Sequence, residues 1–368
     1  MSTTGSSPPF RFKSLSDTVA ELEEETSGEI AKLLKSNSDG ITNFIFCDKA
    51  EHLPAVIVGL KGSPTLFLDC EGSRLGIKTR RLSLISLGIP APTPQKQCVY
   101  LIDTLALGTP ELRPIFDLLE SSDIQKVVFD GQMDQSALFH EHNVTIQSVV
   151  DLQLADIKSR RLRGEREGSP EQIGRLWPYL PRNKVASKAS LYEKVHKLAG
   201  LGQALEEHEV ELNEQQMERK SLFSDQQRWI EHPLSRLHLQ YAANDINLIS
   251  RLWGHFVDAG YIDGQLPEQS LRYIRMWNNA QPDDDDVYKR HALLPLAILD
   301  AVTSRTKECT VCQRLLPESS FSKTAWDKPK DRKCLVCRAI VIRVQRENQI
   351  QDAIEREGDY YDSDGSGF

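Results

Sequence analysis

No long hydrophobic run occurs anywhere in the 368 residues, so nothing approaches the length of a membrane span. Met1 to Pro9 lacks the basic start and apolar core of a secretory leader. These absences predict an intracellular protein, nuclear or cytoplasmic, with no membrane partner. Positive charge is not in excess either: 45 Lys and Arg against 53 Asp and Glu leave a net −8. Much of the extra acid sits in blocks, at Glu21 to Glu25, Asp283 to Asp286 and Glu355 to Asp364. Blocks of that kind can be solvated away from a site, so net charge does not exclude a phosphate-bearing substrate. No internal repeat is apparent, and 39% hydrophobic with 27% charged residues is ordinary globular composition. The length predicts about two domains with ample core.

Against that background, one short stretch carries chemistry. Thr65-Leu66-Phe67-Leu68 is an apolar run bounded by Gly62-Ser63-Pro64 and Gly72, and it reads as a buried strand ending in Asp69-Cys70-Glu71. Strand geometry puts Asp69 and Glu71 on one face and turns Cys70 to the other. Two adjacent carboxylates repel; a hard divalent cation would hold them together, and a solvated strand end would merely tolerate them. Leu234 to Trp253 reads as a mostly buried helix. Tyr241 and Asp245, four apart, share one of its faces. Lys126 to Phe129 reads as a strand broken at Gly131, followed by a helix with Asp134 in its first turn, where the helix dipole favours an acid. Asp130, at the strand end, competes with Asp134 as the functional acid.

Taken in order, D-x-E, the strand-loop-helix Asp and Y-x3-D resemble the DEDD superfamily of 3′–5′ exonucleases. The tyrosine places the resemblance in the branch of RNase D, the Werner-type exonuclease domain and the Egalitarian-like proteins. Asp151-Leu152-Gln153-Leu154-Ala155, the helical stretch Leu198 to Leu205, and Trp229 with Pro233-Leu234 resemble further segments of that branch. The resemblance spans about residues 41 to 260. His232 stands where relatives carry Arg, and Ser86 where many carry Gln. It implies an α/β, RNase H-like mixed sheet flanked by helices, with Asp69, Glu71, Asp134 and Asp245 holding two Mg2+ or Mn2+ ions and Tyr241 aligning water. The implied activity is 3′–5′ exonucleolytic hydrolysis of single-stranded nucleic acid, with RNA favoured over DNA. The alternative is an exonuclease-fold binding module, since some relatives have eroded acidic sites; here all four acids are present.

Of the seven cysteines, Cys47, Cys70 and Cys98 lie in apparent strands and read as small buried hydrophobes. Cys309, Cys312, Cys334 and Cys337 form C-x2-C-x21-C-x2-C, a paired-knuckle spacing that predicts one structural Zn2+. A redox dithiol pair is the rival. Basic residues surround the knuckles, among them Lys330 and Arg332, interleaved with Phe321 and Trp326. Such a mixture suits nucleic acid, with the rings stacking on bases, or else the rings form the core of the module. Leu315 to Lys323 resembles the small zinc domain of fungal proteins that connect small-RNA machinery to chromatin, which implies a protein partner as readily as RNA.

The expected organisation is a disordered N-terminus and charged helix over 1–40, the exonuclease domain over 41–278, a linker with a short helix over 279–300, the zinc module over 301–340, and a polar helix with acidic tail over 341–368. The basic run Lys158 to Arg166, including Arg160, Arg161 and Arg163, reads as a loop gripping substrate phosphates or as a solvated helix end.

Overall fold

The computed structural model describes residues 43–91, 98–210 and 226–363. The disordered N-terminus and charged helix expected over 1–40 lie outside that range. Among the described residues the strands are β1 (Phe44–Cys47), β2 (Thr65–Ser73), β3 (Arg81–Gly88), β4 (Val99–Asp103), β5 (Gln125–Val128) and β6 (Val149–Asp151). They form one sheet in the order β1-β4-β3-β2-β5-β6. β2, β3 and β4 run antiparallel, while β1, β5 and β6 join in parallel. The antiparallel meander of β2, β3 and β4 follows β1 and its helix in the chain.

Alternation along the strands divides the core into two layers. Leu66, Leu68 and Cys70 on β2 point to the layer shared with α1 (Leu53–Lys61), α2 (Thr109–Glu120) and α3 (Gln132–His142). Phe67 points to the other layer, against α4 (Leu152–Leu162), α7 (Leu201–Glu207) and the long α8 (Arg236–Asp258). By the two-residue period, Asp69 and Glu71 fall on the α8 side. Each fully buried aliphatic side chain in these layers contributes roughly 1.5–3 kcal/mol. α8 starts at Ser235, whose Oγ accepts the His238 N–H at 3.3 Å, a side-chain N-cap. Its buried stripe of Leu239, Ala242, Ala243, Ile246, Ile249 and Phe256 keeps helical spacing against the sheet.

Two short helices, α5 (Pro170–Arg175) and α6 (Arg182–Ala186), occupy the region between α4 and α7, and α9 (Leu266–Ile274) follows α8. The linker over 279–300 contains turns and one bridge, Lys197 to Leu293, but not the short helix expected there. Pro295 and the close pairing of Leu293 with its neighbour compete with helix formation. The C-terminal module comprises the hairpin β7 (Thr306–Glu308) and β8 (Leu315–Pro317), the single turn α10 (Lys323–Trp326), and α11 (Leu335–Ser363). The boundary expected at 340/341 falls inside α11. The module is also not insulated from the rest: Cys309, Phe321, Trp326 and Ile340 share one core with Ile173, Leu180, Val185 and Tyr192.

Candidate active site

β2 and α8 meet where the alternation of the strand and the turn of the helix coincide. Oxygens of Asp69, Glu71 and Asp245 lie within 4.8 Å of one another, and all three residues are half-buried. Burial and the nearby charges of Asp134 and Asp245 push the Asp69 carboxyl well above the usual range. Burial, then Asp69, Asp245 and Asp134, does the same to Glu71. Two carboxyls that resist ionising, first through burial and then through the neighbouring charges, with a third carboxylate beside them, form an all-oxygen donor set that suits a hard dication, whose charge would reverse that resistance. Tyr241 hydrogen-bonds Asp245, and burial with that carboxylate holds its phenol protonated far above the ordinary tyrosine range. Glu71, Tyr241, Trp229 and Met133 line an open cleft of about 300 Å³.

Asp134 arrives from the opposite layer, at the start of α3. It is 5% exposed, and its Oδ1 accepts the Cys70 N–H at 3.0 Å. It is therefore outside the tight three-acid set, one peptide behind it, while its charge still acts on Asp69 and Glu71. Asp130 belongs to a different arrangement. Its carboxylate accepts from Tyr273 Oη at 3.1 Å and Gln132 Nε2 at 2.9 Å. Its backbone sits in the left-handed region with φ 59°. Asp151 accepts the N–H groups of Asp130, Gly131 and Gln153, which fixes the turn that leads into α3. The D-x-Q-x-A segment thus positions the helix carrying Asp134. Gly72, next to a register shift in β2, is required by space, since a Cβ there would lie 2.3 Å from the Arg81 carbonyl oxygen.

Residues 44–259, well over half of the chain, match the family described as 3′–5′ exonuclease. The chain belongs to the 3′–5′ exonuclease family. It is a hydrolase of the tyrosine-bearing DEDD type, in which Y-x3-D is the last acidic motif. A search of the curated proteins gave no match. Among solved structures, this exonuclease is similar to Trypanosoma brucei RNase D in complex with RNA U12, at 18% identity over 82% of this chain and 92% of that one, with a TM-score of 0.51. It is also similar to Escherichia coli RNase D (18%, 67% and 54%, TM-score 0.42) and to the exonuclease domain of Aedes aegypti Nibbler (18%, 62% and 94%, TM-score 0.40).

Of the two departures from the family pattern, His232 has a partner, whereas the buried Ser86 Oγ has none among the described residues. His232 Nε2 pairs with Asp103 Oδ2 at 2.9 Å. Ser86 stands opposite Asp69 in the β2–β3 register, fully buried.

The basic run is corrected in part. Arg160 is 4% exposed, paired to the buried Asp156 at 2.6 Å and donating to the Lys197 carbonyl at 2.9 Å. Arg163 bonds Glu207 at 2.6 Å, and Arg175 joins the same carboxylate. These guanidinium groups neutralise the buried Asp156 and the half-buried Glu207; withdrawing Arg160 would strand a buried charge. Only Arg161 of the three is left exposed without that duty.

In the C-terminal module the four cysteines are buried with their sulfurs within 4.8 Å of one another, an arrangement a tetrahedral metal fits. The Cys334 and Cys337 N–H groups donate to Cys309 Sγ at 3.3 Å and Cys334 Sγ at 3.4 Å. Phe321 and Trp326 are 6% and 4% exposed and pack together at 5.5 Å, so they form core and offer no face to a base. Lys330 is exposed, whereas Arg332 donates from Nε to the Trp326 carbonyl at 3.3 Å. A groove of about 410 Å³ lined by Lys188, Lys328, Lys333, Arg338 and Tyr192 runs beside them.

Proposed function

We propose that this chain is an active, metal-dependent exonuclease that shortens single strands from the 3′ end, with RNA as its substrate. The observation that carries the reading is the convergence of Asp69, Glu71 and Asp245 beside an open cleft that Glu71 and Tyr241 line, with Tyr241 hydrogen-bonded to Asp245. Asp69, Glu71 and Asp245 would bind two Mg2+ or Mn2+ ions, with Asp134 completing the charge from behind. Such ions, when bound, stabilise the attacking and leaving oxygens of a phosphodiester and make water acidic enough to ionise near neutral pH. Tyr241, kept protonated, would align the attacking water, its single O–H turning to that water from Asp245 when ions occupy the carboxylate. Asp134 and the Asp151 turn hold the strand and helix that carry the acids. RNA is supported by the RNA U12 bound to the Trypanosoma brucei RNase D of similar fold.

The four thiolates would hold one Zn2+ whose binding energy contributes directly to folding of the small module. We assign that module a place beside the substrate path, through the basic groove and the exposed Lys330, with Arg161 as a further phosphate contact.

The test uses the full chain with Mg2+ or Mn2+ and single strands of RNA and DNA labelled at either end. A 3′ label should leave immediately as a mononucleotide, while a 5′-labelled strand shortens in steps; Asp69→Asn should stop both. Absence of shortening with either polymer overturns the reading, and shortening of DNA alone replaces the substrate.

A further inference from the structure

β2 leads out of the acidic cleft into the loop 74–80, whose backbone is left-handed at Arg74 (φ 46°), Gly76 (φ 74°) and Thr79 (φ 63°). That loop carries Arg74, Lys78 and Arg80. The acidic run Asp283 to Asp286, from a segment beyond the family match, crosses it, and the Lys78 N–H donates to the Pro282 carbonyl at 3.1 Å. One carboxylate then lies among three guanidinium groups. Asp284 Oδ2 is 2.6 Å from Arg74 Nη1 and 3.5 Å from Arg80 Nη2, and its Oδ1 is 3.6 Å from Arg290 Nη1. Asp283 pairs with Lys78 at 3.4 Å. Arg74 and Arg290 line the same cleft as Glu71 and Tyr241.

Three converging guanidinium groups are more than one carboxylate needs. They match the several oxygens of a phosphodiester, which accept from planar N–H forks. The pairs with Asp284 are also weak enough to exchange: side chains 30–47% exposed give ion pairs of roughly 0–1 kcal/mol.

We propose that Arg74, Arg80 and Arg290 form a phosphate-binding site at the mouth of the catalytic cleft, which receives the backbone of an entering single strand, and that Asp284 occupies this site until the strand displaces it. The inference rests on the exonuclease reading, whose cleft it extends. Asp284 then acts as an internal competitor, lowering apparent affinity by the fraction of molecules in which it holds the site. Because Asp284 already neutralises the arginines, few counterions are released there when a strand binds. Removing the competitor should therefore steepen the salt dependence as well as strengthen binding.

The experiment measures fluorescence anisotropy of a 5′-labelled single-stranded RNA with the full chain, without added divalent cation and without chelator. Asp284→Asn should tighten binding about 3- to 10-fold and raise the slope of log affinity against log salt by up to about 0.7. Adding Arg290→Gln to Asp284→Asn should cancel both gains. Unchanged or weaker binding by Asp284→Asn at an unaltered melting temperature overturns the proposal, as does failure of both proteins to bind. Should Asp284→Asn not fold, Arg290→Gln alone decides: weaker binding with a shallower salt slope is expected, and unchanged binding overturns the site. Hydrolysis is scored separately. Strand shortening without the affinity gain leaves the exonuclease and removes the phosphate site; the affinity gain without shortening of RNA or DNA does the reverse.

Discussion

Asp134 Oδ1 accepts the backbone N–H of Cys70 at 3.0 Å, so an acid from one layer of the fold grips the peptide between two acids that face the other. The bond ties the start of α3 to the middle of the acidic strand. It gives Asp134 two separable duties, an acceptor for a buried N–H and a charge beside Asp69 and Glu71.

The first prediction separates them. Asp134→Asn keeps a carbonyl acceptor and should melt near the wild-type temperature while losing strand shortening. Asp134→Ala leaves the Cys70 N–H without a partner, at a cost of about 1–3 kcal/mol, and should lower the melting temperature as well. Full activity in Asp134→Asn would reduce the residue to its hydrogen bond.

Tyr241→Phe removes one oxygen at the cleft wall. If the phenol aligns water, kcat should fall by roughly 10²–10⁴-fold with KM little changed. A comparable rise in KM, or a broken thermal transition, would assign Tyr241 to packing against Trp229, whose ring centre lies 6.1 Å away.

Acid should loosen the seam between the 196–198 segment and the linker. Burial, reinforced by the charge of Arg160 and opposed by Asp300, pulls the His196 imidazole down to about 4. Burial and Arg314 do the same to His291, also to about 4, and the Nδ1 of His291 accepts the Leu293 N–H at 3.3 Å. Folded values below the ordinary 6.5 mean that the unfolded chain takes up protons first. Stability is therefore complete above about pH 6.5 and is lost as pH falls towards 4. The loss is on the order of 2–3 kcal/mol per imidazole. Thermal melts from pH 7 to 4.5 should show a shallower acid limb in a His196→Gln/His291→Gln double variant; an equally steep limb places the lability elsewhere.

The shared core makes the cysteine cluster matter beyond its own segment. Cys312→Ser should release amide protection in residues 301–340 and also around Ile173 to Val195, because Phe321 and Trp326 pack in the same cluster. Amides of β2 to β4 should stay protected. Hydrogen exchange reads both regions in one measurement, and loss confined to the module would contradict the continuous core.

Local periodicity was enough to read several parts of this protein. Two-residue alternation set Asp69 and Glu71 on one face of β2, and a four-residue step set Tyr241 beside Asp245 on α8. The C-x2-C spacing marked the four cysteines that come together. Each depends on residues near in sequence, whose relative geometry the strand, the helix turn and the knuckle impose. What the tertiary structure alone decided lies between distant segments. Arg160, which looks basic and free in sequence, is buried and donates to the Lys197 carbonyl, 37 positions further along the chain. Phe321 and Trp326 are turned inward by a core that includes residues about 140 positions earlier. The Asp283 to Asp286 block, which composition places in solvent, meets Arg74, Arg80 and Arg290 at the cleft. Opposite charges in the two stretches were a signal for that meeting, but charge carries no register. Only the path of the chain after α9 determines which carboxylate reaches which guanidinium.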